Sequence, residues 1–158
     1  FDGPPPMVVA CKDTDHECHI VGSWIKDRLQ EGCAPSEVGI FVRSDAELKR
    51  ARAAVKAAGA RAIELNDKVE VEDGAVAIST MHFAKGLEFR SVVVMACDDD
   101  VIPQSDRIES VADDADLEEV YNTERHLLYV ACTRARDHLL VTGITPVSEF
   151  VDDFLRGS

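Results

Sequence analysis

Arg43 and Ser44 follow directly on an apolar run, Val38–Val42 (VGIFV). Thr80, His82, Lys85, Gly86 and Glu88 crowd into one stretch, TMHFAKGLEF (80–89), which begins where a second apolar run, VAIST (76–80), ends. Thr133, Arg134 and Arg136 close a long segment of helical spacing. These residue types suit one kind of chemistry, the holding of phosphate groups. A guanidinium presents planar donors in fixed geometry. Lys85 next to Gly86 lets backbone and charge approach an anion closely. Thr80 and His82, two apart on an extended segment, are expected to point the same way. A hydroxyl and an imidazole there can hold a phosphate or stack on a base without reading sequence.

Other clusters carry less. The run HECH (16–19) offers ligands at i,i+3 spacing, but Cys11 and Cys33 stand at unhelpful distances, and no metal site is expected. Asp98-Asp99-Asp100 could bind Mg²⁺ in isolation but reads as a solvated strand end. Glu124 reads as an i,i+4 partner of a neighbour. Arg125 either helps hold Glu88 and its loop or lies on a solvated helix face. Tyr129 is expected to pack, and His126 and His138 are read as structural. The five cysteines are odd in number, irregular in spacing and without a CxxC, the pattern of a reduced, cytoplasmic chain.

The elements that must position these residues are legible in the same sequence. Apolar runs at Met7–Cys11, Val38–Val42, Val76–Thr80, Val92–Ala96 and His138–Thr142 read as buried strands, with a weaker one at Arg61–Leu65. Between them lie helical patterns from Asp15 to Gln30, from a Ser44-Asp45 cap to Ala58, and from Leu117 to Ala135, with a terminal helix at Val147–Leu155. Alternating strands and helices, with the strands apolar throughout, define an α/β fold: an open, mostly parallel sheet with helices on both faces. In such sheets the working residues lie beyond the carboxyl ends of the strands, where all three polar stretches are expected.

Composition bounds the partners. The chain has 158 residues, 46% hydrophobic and 30% charged, enough for one ordinary domain with a real core. Its net charge of −13 argues against a protein that wraps nucleic acid. The excess is local, however: Asp98–Glu119 holds ten acidic residues against Arg107 alone and supplies −9 of it. That segment, broken by Pro103, is expected to be an exposed loop that faces away from any anionic strand or contacts a basic partner domain. No apolar run is long enough to span a membrane, and no membrane partner is expected.

Three of these stretches resemble one family. TMHFAKGLEF (80–89) is similar to motif V of superfamily 1 DNA helicases of the UvrD/Rep/PcrA type, ERHLLYVACTRA (124–135) to their motif VI, and GIFVRS (39–44) to their motif IV. They occur in family order. The resemblance implies the second RecA-like (2A-type) domain of such a helicase, with residues 1–6 a linker remnant and 7–156 a single RecA-like domain. In that family ATP lies between two RecA-like domains, and single-stranded DNA crosses the top of both. Carried over, the resemblance implies that Arg43 and Arg134 reach the γ-phosphate and that Glu88 contacts the ribose. It also implies that Lys85 and Gly86 shape the loop joining the two sites and that Thr80 and His82 touch DNA. ATP and Mg²⁺ are implied cofactors of the complete protein, with none bound by this chain alone. Single-stranded DNA and the N-terminal RecA-like domain are the implied partners.

Two departures qualify the resemblance. No GxxxxGK[ST] is present, so the phosphate-cradling loop is expected in the other domain. Ser44 to Thr80 spans only 36 positions, so the 2B domain that the best-known members insert there is expected to be absent. The competing class is a non-catalytic helicase-like module for DNA or protein docking. A flavodoxin-like receiver is disfavoured because VVAC-Lys12 supplies no acidic pair.

Overall fold

The protein is described by a computed structural model covering residues 5–103, 108–109 and 113–156, with side chains to Asp152. Six strands form one sheet: β1 (Met7–Cys11), β2 (Val38–Val42), β3 (Arg61–Glu64), β4 (Ala75–Thr80), β5 (Phe89–Val94) and β6 (Ala135–Ile144). Their order is β1-β6-β5-β2-β4-β3, and every neighbouring pair is parallel. Helices α1 (Thr14–Gln30) and α2 (Leu48–Ala57) cover one face. The other carries α3 (Asp114–Cys132), α4 (Glu149–Arg156) and the segment between β4 and β5.

Every residue of β2 and β4 is buried, as a strand covered on both faces requires. Successive side chains go to opposite layers. Ile40 and Val42 join Val21, Ile25, Ala54 and Val55 under α1 and α2. Phe41 joins Phe89, Leu128, Val141 and Phe150 under α3 and α4. Helix α1 begins at Asp13, whose carboxylate accepts the His16 N–H at 2.8 Å, and α3 begins likewise at Asp113, which accepts from Asp116 at 2.9 Å. Helices α1 and α2 approach closely because Gly22 has no side chain: a Cβ there would lie 2.9 Å from that of Ala57.

Four sequence expectations are corrected. β1 is an edge strand rather than a buried one, with Met7 and Val8 52% and 41% exposed, because only β6 pairs with it. Ser44 makes no side-chain cap bond; a 3₁₀ turn at Asp45–Glu47 intervenes before α2. β6 begins at Ala135 rather than His138, since Ala135 already pairs with Phe89. Finally, Ile102 and Pro103 are buried rather than part of an exposed loop. The rest of that acidic stretch lies partly outside the described residues, as do positions 1–4 of the expected linker remnant.

Candidate functional site

Parallel topology dictates where the polar stretches go. The chain leaves β4 at its carboxyl end and enters β5 at its amino end, so residues 81–88 run the length of the sheet. Helix α3 returns beside them, ending where β6 begins. Thr133–Arg136 therefore lies at the amino end of β6, not beyond the carboxyl ends as expected from the general rule for open sheets. The candidate residues fall into two groups at opposite ends of the strands, linked by residues 81–88 and α3.

At the carboxyl end stand Arg43, Thr80 and His82. Arg43 is 3% exposed, and its guanidinium clasps the fully buried Glu124 carboxylate in two bonds, Nε to Oε1 at 2.9 Å and Nη2 to Oε2 at 2.6 Å. Nη1 lies 3.2 Å from His82 Nε2. Glu124 is thus no i,i+4 partner; its cation comes from 81 positions away. Thr80 is buried at the end of β4, and the chain then turns through a 3₁₀ segment, Met81–Phe83. With about three residues per turn, Met81 goes inward while His82 and Phe83 stay exposed. The expected extended geometry fails here: Thr80 faces the interior, whereas His82 is exposed and rests against Arg43.

At the amino end stand Arg134, Gly86, Lys85 and Glu88. Arg134 is half-buried and donates to the Val130 carbonyl at 3.2 Å, the Leu87 carbonyl at 3.4 Å and the Thr133 hydroxyl at 3.2 Å. All three acceptors are neutral. Its own carbonyl accepts the Phe89 N–H at 3.0 Å, which fastens the end of α3 to the start of β5. Between them, Gly86 adopts φ +85°, a left-handed turn natural to glycine, and Leu87 N–H closes it on the Ala84 carbonyl at 3.1 Å. Lys85 and Glu88 project from this turn, both exposed. Arg136 pairs instead with Asp137 at 3.4 Å, whose carboxyl is held low chiefly by a hydrogen bond from Arg90.

Of the two readings of Arg125, the exposed helix face is the one observed: the side chain lies over the Phe150 ring at 4.9 Å and donates to Asn122. One neighbouring reading changes. Tyr129, expected to pack, is 50% exposed and stacks on His126 with centroids 6.5 Å apart.

Sequence reasoning passed over a second buried network. Glu17, inside the HECH run, is 0% exposed. Its carboxylate accepts from Arg50 Nε at 3.0 Å and Arg50 Nη2, from the Ala96 N–H at 3.0 Å and from the Thr142 hydroxyl at 2.9 Å. Arg50 also bonds Asp98 at 2.8 Å, and Asp98 in turn accepts the Ile144 N–H at 2.7 Å. Burial alone would lower the Arg50 pKa; hydrogen bonds to Asp98 and the charge of Glu17 outweigh it and raise it. Asp98 is therefore a buried clamp rather than a solvated strand end. The network also holds Ala96 in the left-handed region, φ +59°. One signal existed: Glu17 shares the helix face of Val21 and Trp24, a carboxylate at a core position.

All five cysteines are free thiols, and Cys11, Cys33, Cys97 and Cys132 are buried. Among the described residues no three of His, Cys, Asp or Glu are grouped to hold a metal ion, and no helix is long and apolar enough to cross a membrane.

A six-stranded parallel sheet flanked by helices, with basic and polar side chains where the β4–β5 segment meets α3, is a RecA-like α/β domain. The family model for the UvrD-like helicase C-terminal domain matches residues 53–145, and the chain belongs to that family. It is 41% identical over 78 residues to YjcD of Bacillus subtilis (strain 168), covering 48% of this chain and 10% of that protein. It is 40% identical over 79 residues to the ATP-dependent DNA helicase PcrA of Staphylococcus epidermidis RP62A, covering 50% of this chain. The chain thus spans about a tenth of the length of the curated relatives it matches. Among solved structures, the C-terminal domain of a possible DNA helicase from Lactobacillus plantarum WCFS1 shares the fold. Its TM-score is 0.70 at 22% identity, over 94% of this chain and 80% of that one.

Proposed function

We propose that this domain is the C-terminal motor half of an ATP-dependent DNA helicase. In this reading it completes the site of an ATP·Mg²⁺ held by an N-terminal RecA-like domain and forms part of the single-stranded DNA track. The observation that carries the reading is Arg134: a cation fixed in place by two carbonyls and a hydroxyl, none of which neutralises it. Such a group is ready for an anion brought to it, and phosphoryl transfer needs a cation at the γ-phosphate. Because Leu87 supplies one of those carbonyls, the turn bearing Lys85, Gly86 and Glu88 moves with Arg134. Glu88 then contacts the ribose, and closure of the two domains couples hydrolysis to movement along DNA.

Arg43 takes a different part. Its charge is already balanced by Glu124, and it stands at the other end of the strands from Arg134, so one γ-phosphate does not meet both; His82 at 3.2 Å links Arg43 to the DNA side. His82, exposed on the 3₁₀ turn, belongs to the track, and the buried Thr80 fixes where that turn begins. The 36 positions from Ser44 to Thr80 are occupied by a 3₁₀ turn, α2, β3 and a short link, which supports the reading that no 2B domain is inserted. The cytoplasm is the compartment that suits such a motor and its free thiols.

The test is the single-strand-stimulated ATPase of the complete parent protein, wild type beside Arg134→Ala. A fall of about 10³–10⁵ in turnover is expected, with DNA affinity preserved. Unchanged turnover removes Arg134 from the reaction. A wild-type parent that hydrolyses no ATP favours instead a domain that docks DNA or protein without catalysis.

A further inference from the structure

Phe83 lies in the middle of the polar stretch that supplies Thr80 and His82, yet nothing so far uses it. It is 42% exposed, among the few large apolar side chains of the described residues left open to water. The 3₁₀ turn explains how: with Met81 anchored in the core at 2% exposure, the next two side chains must face out. Beside the ring opens a cavity of about 360 Å³, lined by Asp45, Leu48, Glu64, Leu65, Asn66, Thr80 and Phe83. Its floor is apolar and its rim is polar.

The charges of that rim decide what can enter. Glu64 is paired with Arg52 at 2.6 Å, so its charge is spent outward. Asp45 is an exposed carboxylate. Asn66 Oδ1 already accepts the Lys68 and Val69 N–H groups, at 2.8 and 2.9 Å, which leaves its amide nitrogen as a donor. No cation lines the cavity, so a phosphate would meet a carboxylate and be repelled. A flat, uncharged ring with hydrogen-bonding edges meets the Phe83 face, an acceptor and a donor. Aromatic side chains on single-strand tracks take bases in this manner, without demanding a sequence.

We infer that Phe83 and the cavity beside it form a stacking site for one unpaired nucleobase, with the phosphate left outside near His82. The inference rests on the single-strand reading above and names the contact that reading lacks. A base stacked there, over the carboxyl ends of β2, β4 and β3, touches the turn whose His82 lies against Arg43. The base is thereby one hydrogen bond from the buried Arg43–Glu124 pair. Asp45 offers the base edge a carboxylate acceptor, which the exocyclic amine of adenine or cytosine or the N3–H of thymine can meet, so no base is selected.

The test uses the complete parent protein with oligo(dA) and oligo(dT), measuring binding and the DNA dependence of ATPase turnover. Phe83→Ala is expected to raise the half-saturating DNA concentration about 5- to 100-fold, the range for loss of one stacked base, with turnover at saturating DNA reduced less. Phe83→Trp is expected to restore binding and Phe83→Leu not to, because leucine fills space without offering a π face. Equal affinity of Phe83→Ala and wild type overturns the inference, as does full rescue by Phe83→Leu, while a DNA-stimulated wild type leaves the motor reading standing. A wild type that binds no single-stranded DNA overturns both.

Discussion

Removing the Glu124 carboxylate should be among the most damaging single changes available in this domain. Arg43 and Glu124 are 3% and 0% exposed and meet in two parallel charge-assisted bonds at 2.9 and 2.6 Å. Glu124→Ala leaves a guanidinium stranded beneath α3, with His82 as a weak substitute. Breaking a buried pair from one side costs about 3–5 kcal/mol, against a total stability of about 5–15 kcal/mol for an ordinary domain. At roughly 2–4 °C per kcal/mol for this size, melting should fall by about 6–20 °C. Replacing both partners together, Arg43→Met with Glu124→Leu, removes the stranded charge and should recover most of that loss. Trp24 is the sequence's one tryptophan and is 8% exposed, so its fluorescence in a urea titration reports the transition. A Glu124→Ala domain within about 1 kcal/mol of wild type would refute the reasoning, because the pair would then behave as a surface ion pair. So would a double variant less stable than the single one.

Two further outcomes follow from packing and from burial. Gly143→Ala places a Cβ 2.6 Å from the Cys97 carbonyl oxygen, and Gly39→Ala places one 2.5 Å from the buried Phe89 ring and 2.9 Å from its Cγ, which ring rotation does not move. Each should cost about 1–3 kcal/mol; a denaturation midpoint unchanged by either would contradict this. Burial pushes the Cys132 thiol from 9.0 up to about 12. The folded state thus resists ionisation that the unfolded chain permits, and the stability from the neutral thiol is complete below pH 9 and lost as pH rises from 9 toward 12. At pH 10.5 the difference amounts to about 2 kcal/mol. The pH dependence of the urea midpoint should accordingly be flatter in Cys132→Ala than in wild type, and parallel curves would show that the thiol does not contribute.

The fold was legible because its signals are local. β2 and β4 are uninterrupted apolar runs that must be covered on both faces, and the helices between strands show in the spacing of their apolar residues. What escaped was long-range. Nothing near Glu124 announces Arg43, and nothing near Glu17 announces Arg50 or Asp98, because the partners are brought together only by crossovers between strands. The position of Arg134 was misjudged for a related reason. A rule about carboxyl ends was applied to a residue that follows a returning helix, and a returning helix ends at the amino side. Phe83 escaped because an extended segment was assumed where the chain takes a 3₁₀ turn.

Charge compensation separates residues that the motifs alone treat as equals. Arg43 and Arg134 are the same side chain in motifs IV and VI, and the resemblance implies the same phosphate for both. A phosphate near Arg134 gains a cation that neutral groups hold in place, so the new charge–charge attraction is offset by no broken ion pair. A phosphate near Arg43 must compete with a buried carboxylate already bonded at two atoms. Recruiting Arg43 therefore requires something to loosen Glu124 or His82 first, and the turn carrying His82 also carries Phe83. If the proposed base site is occupied, it would supply that loosening. In the proposed motor Arg134 would then be the standing contact and Arg43 the conditional one, dependent on what the Met81–Phe83 turn has bound.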